Sequence, residues 1–426
     1  MKLLSNPKNR RWLAWGALAV VFLLVNLHRL STAVLSERLT AAFDTTAAQL
    51  GTLHASFFVV YAVVQIPTGV LADRVGPRHV GSLGAVVISI GAVGFALSDG
   101  YVGAFLFRGL IGLGSGVIFI SILRFCANWY RADEFGTMTG LTAGVAGLGA
   151  ILATTPLALV VEVVGWRPTV LGLAAVGLFA AVGVYTLARS TPASAGLEPI
   201  DGVPEQPSVT FAETGGHLRS LAGDVDQWLL SIVFFAGMGA VLTLLGLWGV
   251  PYLVVVYDLS VTTASTYTLL GSVGLLVGPP TIGWISDRLE RRLLPMSVGL
   301  ALFALSLAIV PIFGRPPLPL VAAAYFGSGV LVGAAVLSLS VVKERYPAEA
   351  SGVATATVNT AGFVGAAVFP AVMGVALDAY RTDDVVGGTV VYTEFGYRIA
   401  FAIIAGAVAI AFLCSLWLLA RARTDD

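Results

Sequence analysis

Apolar residues gather in runs of roughly 20, long enough as helices to cross about 30 Å of hydrocarbon, and polar breaks separate them. In the first part of the chain these runs predict helices at about 12–36, 51–72, 80–98, 101–125, 136–160 and 168–189. In the second they predict helices at about 227–256, 262–285, 293–313, 317–342, 351–377 and 397–420. The stretch from Ser190 to Gln227 is rich in Pro, Gly, Ser and acids and holds no sustained apolar run. It reads as a linker, with a short surface helix expected near Phe211–Ala222. The pattern therefore predicts an all-α membrane protein of 12 transmembrane helices in two six-helix bundles. The expected divisions are 1–189, a linker at 190–226, and 227–426.

Composition supports this and removes alternatives. Charged residues are 11% of the 426, apolar residues 57%, and the mean hydropathy is +0.89. Soluble domains carry about 25% charge, and one soluble core cannot hide so much apolar surface. The zero net charge offers no basic footprint for nucleic acid. Cys126 and Cys414 fall in or beside apolar runs and read as packing residues, not a disulfide framework. The first apolar run is too long for a signal-peptide core and is expected to remain as a helix.

The halves repeat one another. Gly69-Val70-Leu71-Ala72-Asp73-Arg74 returns as Gly283-Trp284-Ile285-Ser286-Asp287-Arg288, 214 positions on. Trp129-Tyr130-Arg131-Ala132-Asp133-Glu134-Phe135-Gly136 is matched by Arg345-Tyr346-Pro347-Ala348-Glu349-Ala350-Ser351-Gly352, 216 positions on. Two equivalent bundles related by an axis along the membrane normal are expected, as in many secondary transporters. Lys and Arg set the orientation. Sixteen lie in the segments on the side of the termini, against Arg38, Arg167, Arg315, Arg381 and Arg398 on the other. Both termini and both Asp-Arg turns are thus expected in the cytoplasm, the protein being a multi-pass protein of the cell (inner) membrane.

With these motifs in hand, the chain resembles the major facilitator superfamily over essentially its whole length. Gly69-Val-Leu-Ala-Asp73-Arg74-Val-Gly76-Pro-Arg78 matches that family's Gly-x-x-x-Asp-Arg-x-Gly-x-Arg/Lys loop between helices two and three. Arg108 followed by Gly112, Gly114 and Gly116 resembles its helix-four motif. The second copy of the loop departs, with Leu289-Glu290 where Val75-Gly76 stands in the first. Arg29, Arg124 before Asn128-Trp129-Tyr130, and the tract Leu247–Leu253 resemble the organophosphate and organic-anion permeases. Sugar-phosphate carriers of that branch place a second arginine in helix seven. None is present here, so a carboxylate or peptide-like solute stands beside a phosphate ester as candidate substrate.

Arginines inside the spans are the candidate chemistry, because a buried charge normally faces a partner or a watery cavity. Arg29 lies about seven residues from the outer end of the first helix, roughly 10 Å deep at 1.5 Å per residue. Arg108 lies about seven residues into the fourth helix, at similar depth. No Asp or Glu falls in the central part of a span; Glu37, Glu162, Asp226 and Asp378 stand at edges. Unpaired arginine suits an anion, which a guanidinium can grip bidentately. Two alternatives stay open: Arg29 can snorkel outward, and Arg108 can bond backbone carbonyls of the first helix. Arg124 follows Arg108 by 16 residues, about 160° round the helix, so the two cannot share a face. Asn26 shares the face of Arg29. His54, Phe58, Tyr61 and Gln65 form one stripe on helix two. Trp248, Tyr252, Tyr325 and Asn359 are candidates for the opposing wall.

A cytoplasmic latch is the expected role of the Asp-Arg turns. Asp73 meets a helix end, Arg74 and Arg78 pair with Asp133 or Glu134, and Asp287, Arg288 and Arg292 meet Glu344 and Glu349. Gly112, Gly114 and Gly116, with Gly140, Gly144, Gly147 and Gly149, are expected to let helices approach closely. The expectation is a secondary transporter moving a small organic anion by alternating access. It is taken as a monomer in the lipid bilayer, without cofactor or nucleic-acid partner, with proton symport, exchange and uniport of a neutral or zwitterionic solute all open. A solute sensor on the same fold is the reading from another class. No metal cluster or nucleophile–base pair suggests an enzyme.

Overall fold

Apolar runs become helices wherever hydrocarbon leaves the backbone no partner but itself. The computed structural model describes residues 7–198, 200–203, 216, 219–386 and 389–425. Among them twelve helices are long and apolar enough to cross a membrane. Spans 1 to 6 are Lys8–Leu30, Ala47–Gln65, Pro77–Leu97, Tyr101–Trp129, Asp133–Leu152 and Trp166–Leu187. Spans 7 to 12 are Val225–Tyr257, Val261–Arg288, Leu293–Phe313, Leu318–Arg345, Ala350–Asp378 and Glu394–Ala422. An even number of spans puts both termini at one end of the molecule, called here the termini end. The short surface helix expected near Phe211–Ala222 falls largely outside the described residues.

Several spans are interrupted where the sequence suggested continuity. Span 1 breaks at Ser31 and resumes as the helix Thr32–Phe43. Span 4 is two pieces, Tyr101–Gly116 and Ile118–Trp129, and span 5 continues after a break as Thr155–Val164. Span 7 widens into a π turn at Leu244–Trp248, just before Pro251 withdraws a backbone donor. Between spans 11 and 12 an antiparallel hairpin pairs β1 (Arg381–Val386) with β2 (Thr389–Tyr392). The all-helical expectation did not include this hairpin, although β-branched runs around Gly387-Gly388 are a hairpin signal.

Glycine sets how closely the helices cross. A Cβ at Gly112 would stand 2.2 Å from the carbonyl oxygen of Phe57 on span 2, and one at Gly114 would stand 2.5 Å from that of Gly84 on span 3. Gly116, Gly147 and Gly149 are similarly tight. Gly140 and Gly144 have nothing within 4 Å of a Cβ, so the expected close approach is absent there. Between the halves, a Cβ at Gly51 would lie 2.3 Å from the Pro370 oxygen, and one at Gly374 2.3 Å from the Ala47 oxygen. Spans 2 and 11 therefore touch backbone to backbone near the end remote from the termini.

The loop after span 2 shows why its glycine recurs in the motif. Gly76 has φ +86, a conformation that costs an L side chain dearly, and a Cβ there would collide with Ser190. At the equivalent place 214 positions on, Glu290 holds φ 51 without being glycine. Gly76→Ala is expected to cost about 1–2 kcal/mol, read as a lower Tm in detergent, whereas Glu290→Gly should leave Tm unchanged or raise it. Gly112→Val should lower Tm by several degrees through overpacking of about 1–3 kcal/mol, while Gly140→Ala should hold or raise it. Equal Tm values for Gly112→Val and Gly140→Ala would contradict this packing.

Candidate functional site

The break in span 1 decides what the two buried arginines do. At the break the carbonyl oxygen of His28 accepts from Ser31 Oγ (3.0 Å) and from Arg108 Nη2 (2.6 Å). Arg108 Nη2 also donates to Thr32 Oγ1 at 2.8 Å, and its guanidinium carbon lies 5.4 Å from the centre of the Phe57 ring. Only 2% of Arg108 is exposed. The arginine thus bonds the backbone of the first helix from behind, within the first half, and does not present its guanidinium to the second half.

Arg29, one residue along, turns the other way. Its Nη1 donates to Asn26 Oδ1 at 3.1 Å, and Asn26 is itself held by the carbonyl of Phe22 at 2.8 Å. The guanidinium carbon lies 5.0 Å from the ring centre of Tyr61 on span 2 and 5.1 Å from that of Phe363 on span 11. Those two rings, one from each half, are 4.5 Å apart. Among the described residues no carboxylate pairs with Arg29, and its Nε has no hydrogen-bond partner. Gln65, one turn beyond Tyr61, is buried with its amide nitrogen unpartnered. Asn359 is half-buried one turn before Phe363. Asn26, Arg29, Tyr61 and Phe363 form the cluster, with Gln65 and Asn359 one turn away along their helices.

Phe363 was not among the residues the sequence singled out; a lone phenylalanine in an apolar helix carries no local signal. The remaining candidates lie elsewhere. Trp248 donates through Nε1 to the Pro370 oxygen (3.0 Å), Tyr252 to the Gly314 oxygen (2.7 Å) and Tyr325 to the Gly249 oxygen (2.8 Å). These side chains are buried within the second half and their polar atoms serve its backbone. His54 packs against the π turn of span 7, with its ring about 3.2 Å from where a Cβ on Gly246 would be, and neither ring nitrogen has a partner. Arg124 is half-buried in the second piece of span 4.

The charges at the termini end pair differently from expectation. Glu134 takes both Nη groups of Arg11 at 2.8 Å, Asp133 pairs with Arg131, and Arg78 donates to the Tyr185 oxygen at 2.8 Å. Arg11 also lies over the Tyr130 ring. In the second half Arg292 joins Glu344 at 2.8 Å and also Asp287, a pair within its own loop. Arg288 stacks on Trp284. The side chains of Asp73 and Glu349 lie outside the described residues, and Arg74 is exposed. Asp226, 215 positions after Arg11, is 1% exposed and pairs with Arg345 and Arg421. Every one of these pairs lies inside one half. They brace each bundle and do not latch one to the other.

Comparison with known proteins places this architecture. The Major Facilitator Superfamily pattern matches residues 13–380. The hexuronate transporter of Bacillus subtilis is 24% identical over 253 residues, covering 58% of this chain and 57% of that one. A probable nitrate/nitrite transporter of Mycobacterium tuberculosis is 27% identical over 351 residues, covering 80% and 83%. A bacterial homologue of the human lysosomal transporter Spinster, solved in an inward-facing, unoccupied conformation, shares the fold at a TM-score of 0.77, with 17% identity over 95% and 97% of the two chains. The chain belongs to the major facilitator superfamily and is a multi-pass membrane transporter.

Proposed function

We propose that this transporter moves a small organic anion (a carboxylate, a phosphate ester or a peptide-like solute) by alternating access, with Arg29 as the anion anchor. The observation that carries the reading is a guanidinium held at the junction of the halves with no carboxylate paired to it among the described residues. Such a charge is costly in hydrocarbon and becomes useful when a solute supplies the counter-charge. Tyr61 and Phe363 flank the guanidinium, Asn26 holds one Nη, and the unpartnered N–H faces can donate to two oxygens of one anion. Similarity to transporters of a hexuronate and of nitrate, both anions, supports the class of solute and leaves its identity to experiment.

Direction follows from charge and contact together. The excess of Lys and Arg at the termini end supports a cytoplasmic location for it. The halves touch at the other end, through Gly51 and Gly374, as a carrier closed to the outside would. An aromatic from each half meets at Arg29, so a solute bound there senses the relative motion of both.

Counterflow in proteoliposomes, screened with nitrate, a hexuronate and a phosphate ester, is the test. Arg29→Gln is expected to lower uptake of whichever anion moves by about 30- to 100-fold, the loss of one charged hydrogen-bonding group, with Tm near the parent's. Arg108→Gln is expected to behave in the opposite sense, lowering Tm by several degrees because the His28 carbonyl and Thr32 lose their donor. Parental uptake by Arg29→Gln would end the anchor proposal.

A further inference from the structure

Two carboxylates at the end remote from the termini cross from one half to the other, and the internal repeat relates them. Asp378, the last residue of span 11, accepts from the backbone N–H of Ala47 through Oδ1 (2.9 Å) and of Ala48 through Oδ2 (2.9 Å). These are the first two helical residues of span 2. The cap of that helix leaves them free: Thr46 Oγ1 accepts from Gln49 N and Gln49 Oε1 accepts from Thr46 N, a capping box that serves other donors. Tyr392 of the hairpin steadies the carboxylate with a hydroxyl 3.4 Å from Oδ1. In the other half, Glu162 of the helix Thr155–Val164 accepts through Oε2 from Thr262 Oγ1 at 2.7 Å, in the first turn of span 8. Span 8 also carries its own cap, Ser260 Oγ accepting from Thr263 N.

Register makes these two contacts copies of one another. Thr46 and Ser260, the caps, are 214 positions apart; so are Ala48 and Thr262, the residues gripped. Glu162 and Asp378, the carboxylates, are 216 apart. The same offsets relate the repeated loop motifs at the termini end. Each carboxylate also sits near the C-terminus of its own helix, where the helix dipole disfavours negative charge. Local stability would place no acid there. The N-terminus of a helix in the opposite half is what each one satisfies.

We propose that Asp378 and Glu162 are the paired gating residues of the transport cycle, holding the far end closed and releasing together when it opens. The proposal rests on the alternating-access reading but not on the anion. Asp378 is the stronger member, because it is half-buried and makes two charge-assisted bonds to backbone; Glu162 is exposed and makes one to a hydroxyl. Opening costs both contacts at once, so the closed state is favoured until solute binding draws the halves into another arrangement. Arg11–Glu134, Arg292–Glu344 and Asp226–Arg345 at the termini end are each internal to a half.

The test reads the gate without a solute. Spin labels at Asp99→Cys and Ile312→Cys, one per half and both at the far end, are placed in a Cys126→Ala, Cys414→Ala background. Electron–electron resonance then gives the distance distribution in nanodiscs. Asp378→Asn is expected to raise the long-distance population about tenfold, the loss of one charged hydrogen-bonding group, and Glu162→Gln less. The double variant is expected to exceed either. A double variant that melts like the parent and keeps the parent's distances overturns the proposal. If the double variant does not fold, the two single variants decide: parental distances in Asp378→Asn overturn it equally. Failure of Arg29→Gln to impair uptake, with the gate distances shifted as expected, would refute the anion anchor alone.

Discussion

A backbone carbonyl in hydrocarbon has no water to turn to, and the break in span 1 at Ser31 exposes one at His28. Arg108 answers it from span 4, with Thr32 as its second acceptor. That single contact ties the first helix to the fourth at mid-depth. It also separates the two arginines that the sequence places at equal depth. One is consumed by backbone; the other, Arg29, is left facing the aromatic pair Tyr61 and Phe363. Among the described residues no carboxylate pairs with Arg29, while Arg108 serves the backbone.

Glycine packs backbones both inside the halves and across them, at Gly51 and Gly374, whereas the ion pairs named above lie inside the halves. Inside the halves, glycine crossings bring backbones into contact at Gly112 and Gly114, the bidentate pair Arg11–Glu134 ties helix to helix, and Arg292–Glu344 ties loop to helix. Glu344, and then Asp287, raise the Arg292 guanidinium above its usual pKa. Polar contacts between the halves include a carboxylate on two amides, a carboxylate on a hydroxyl, and Ser265 on Thr155 at 3.1 Å. Such bonds lie at the membrane edge, where water can replace each partner, so the net contribution of each is modest.

Much of this was legible in the residues. Twelve apolar runs, their division by a Pro- and Ser-rich stretch, and the repeated Asp-Arg turns led to the fold without ambiguity of class. Gly76 was legible as a motif, and its φ of +86 gives the reason. Other features were not. The breaks at Ser31 and Val117 carry no proline of their own, since they are set by what packs alongside, whereas the break at Ala153 is followed by Pro156, which has no N–H for the Leu152 carbonyl. The partners of Glu134 were misjudged because spacing along the chain does not report that span 1 begins beside span 5. Phe363 was invisible because its role depends on Tyr61 lying opposite it.

The sequence alone determined everything that follows from local physical law: apolar length makes a span, basic residues bias an orientation, and a repeat at offsets of 214 and 216 makes two like bundles. It also placed Glu37, Glu162, Asp226 and Asp378 at the edges of spans. Only the tertiary structure decided what each of these acids meets. Asp226 braces one half, while Glu162 and Asp378 reach across to the other. The reason is that a charge near a helix end draws its energy from whichever group comes within hydrogen-bonding distance. That distance is fixed by how two bundles pack, which residue spacing along one helix does not encode.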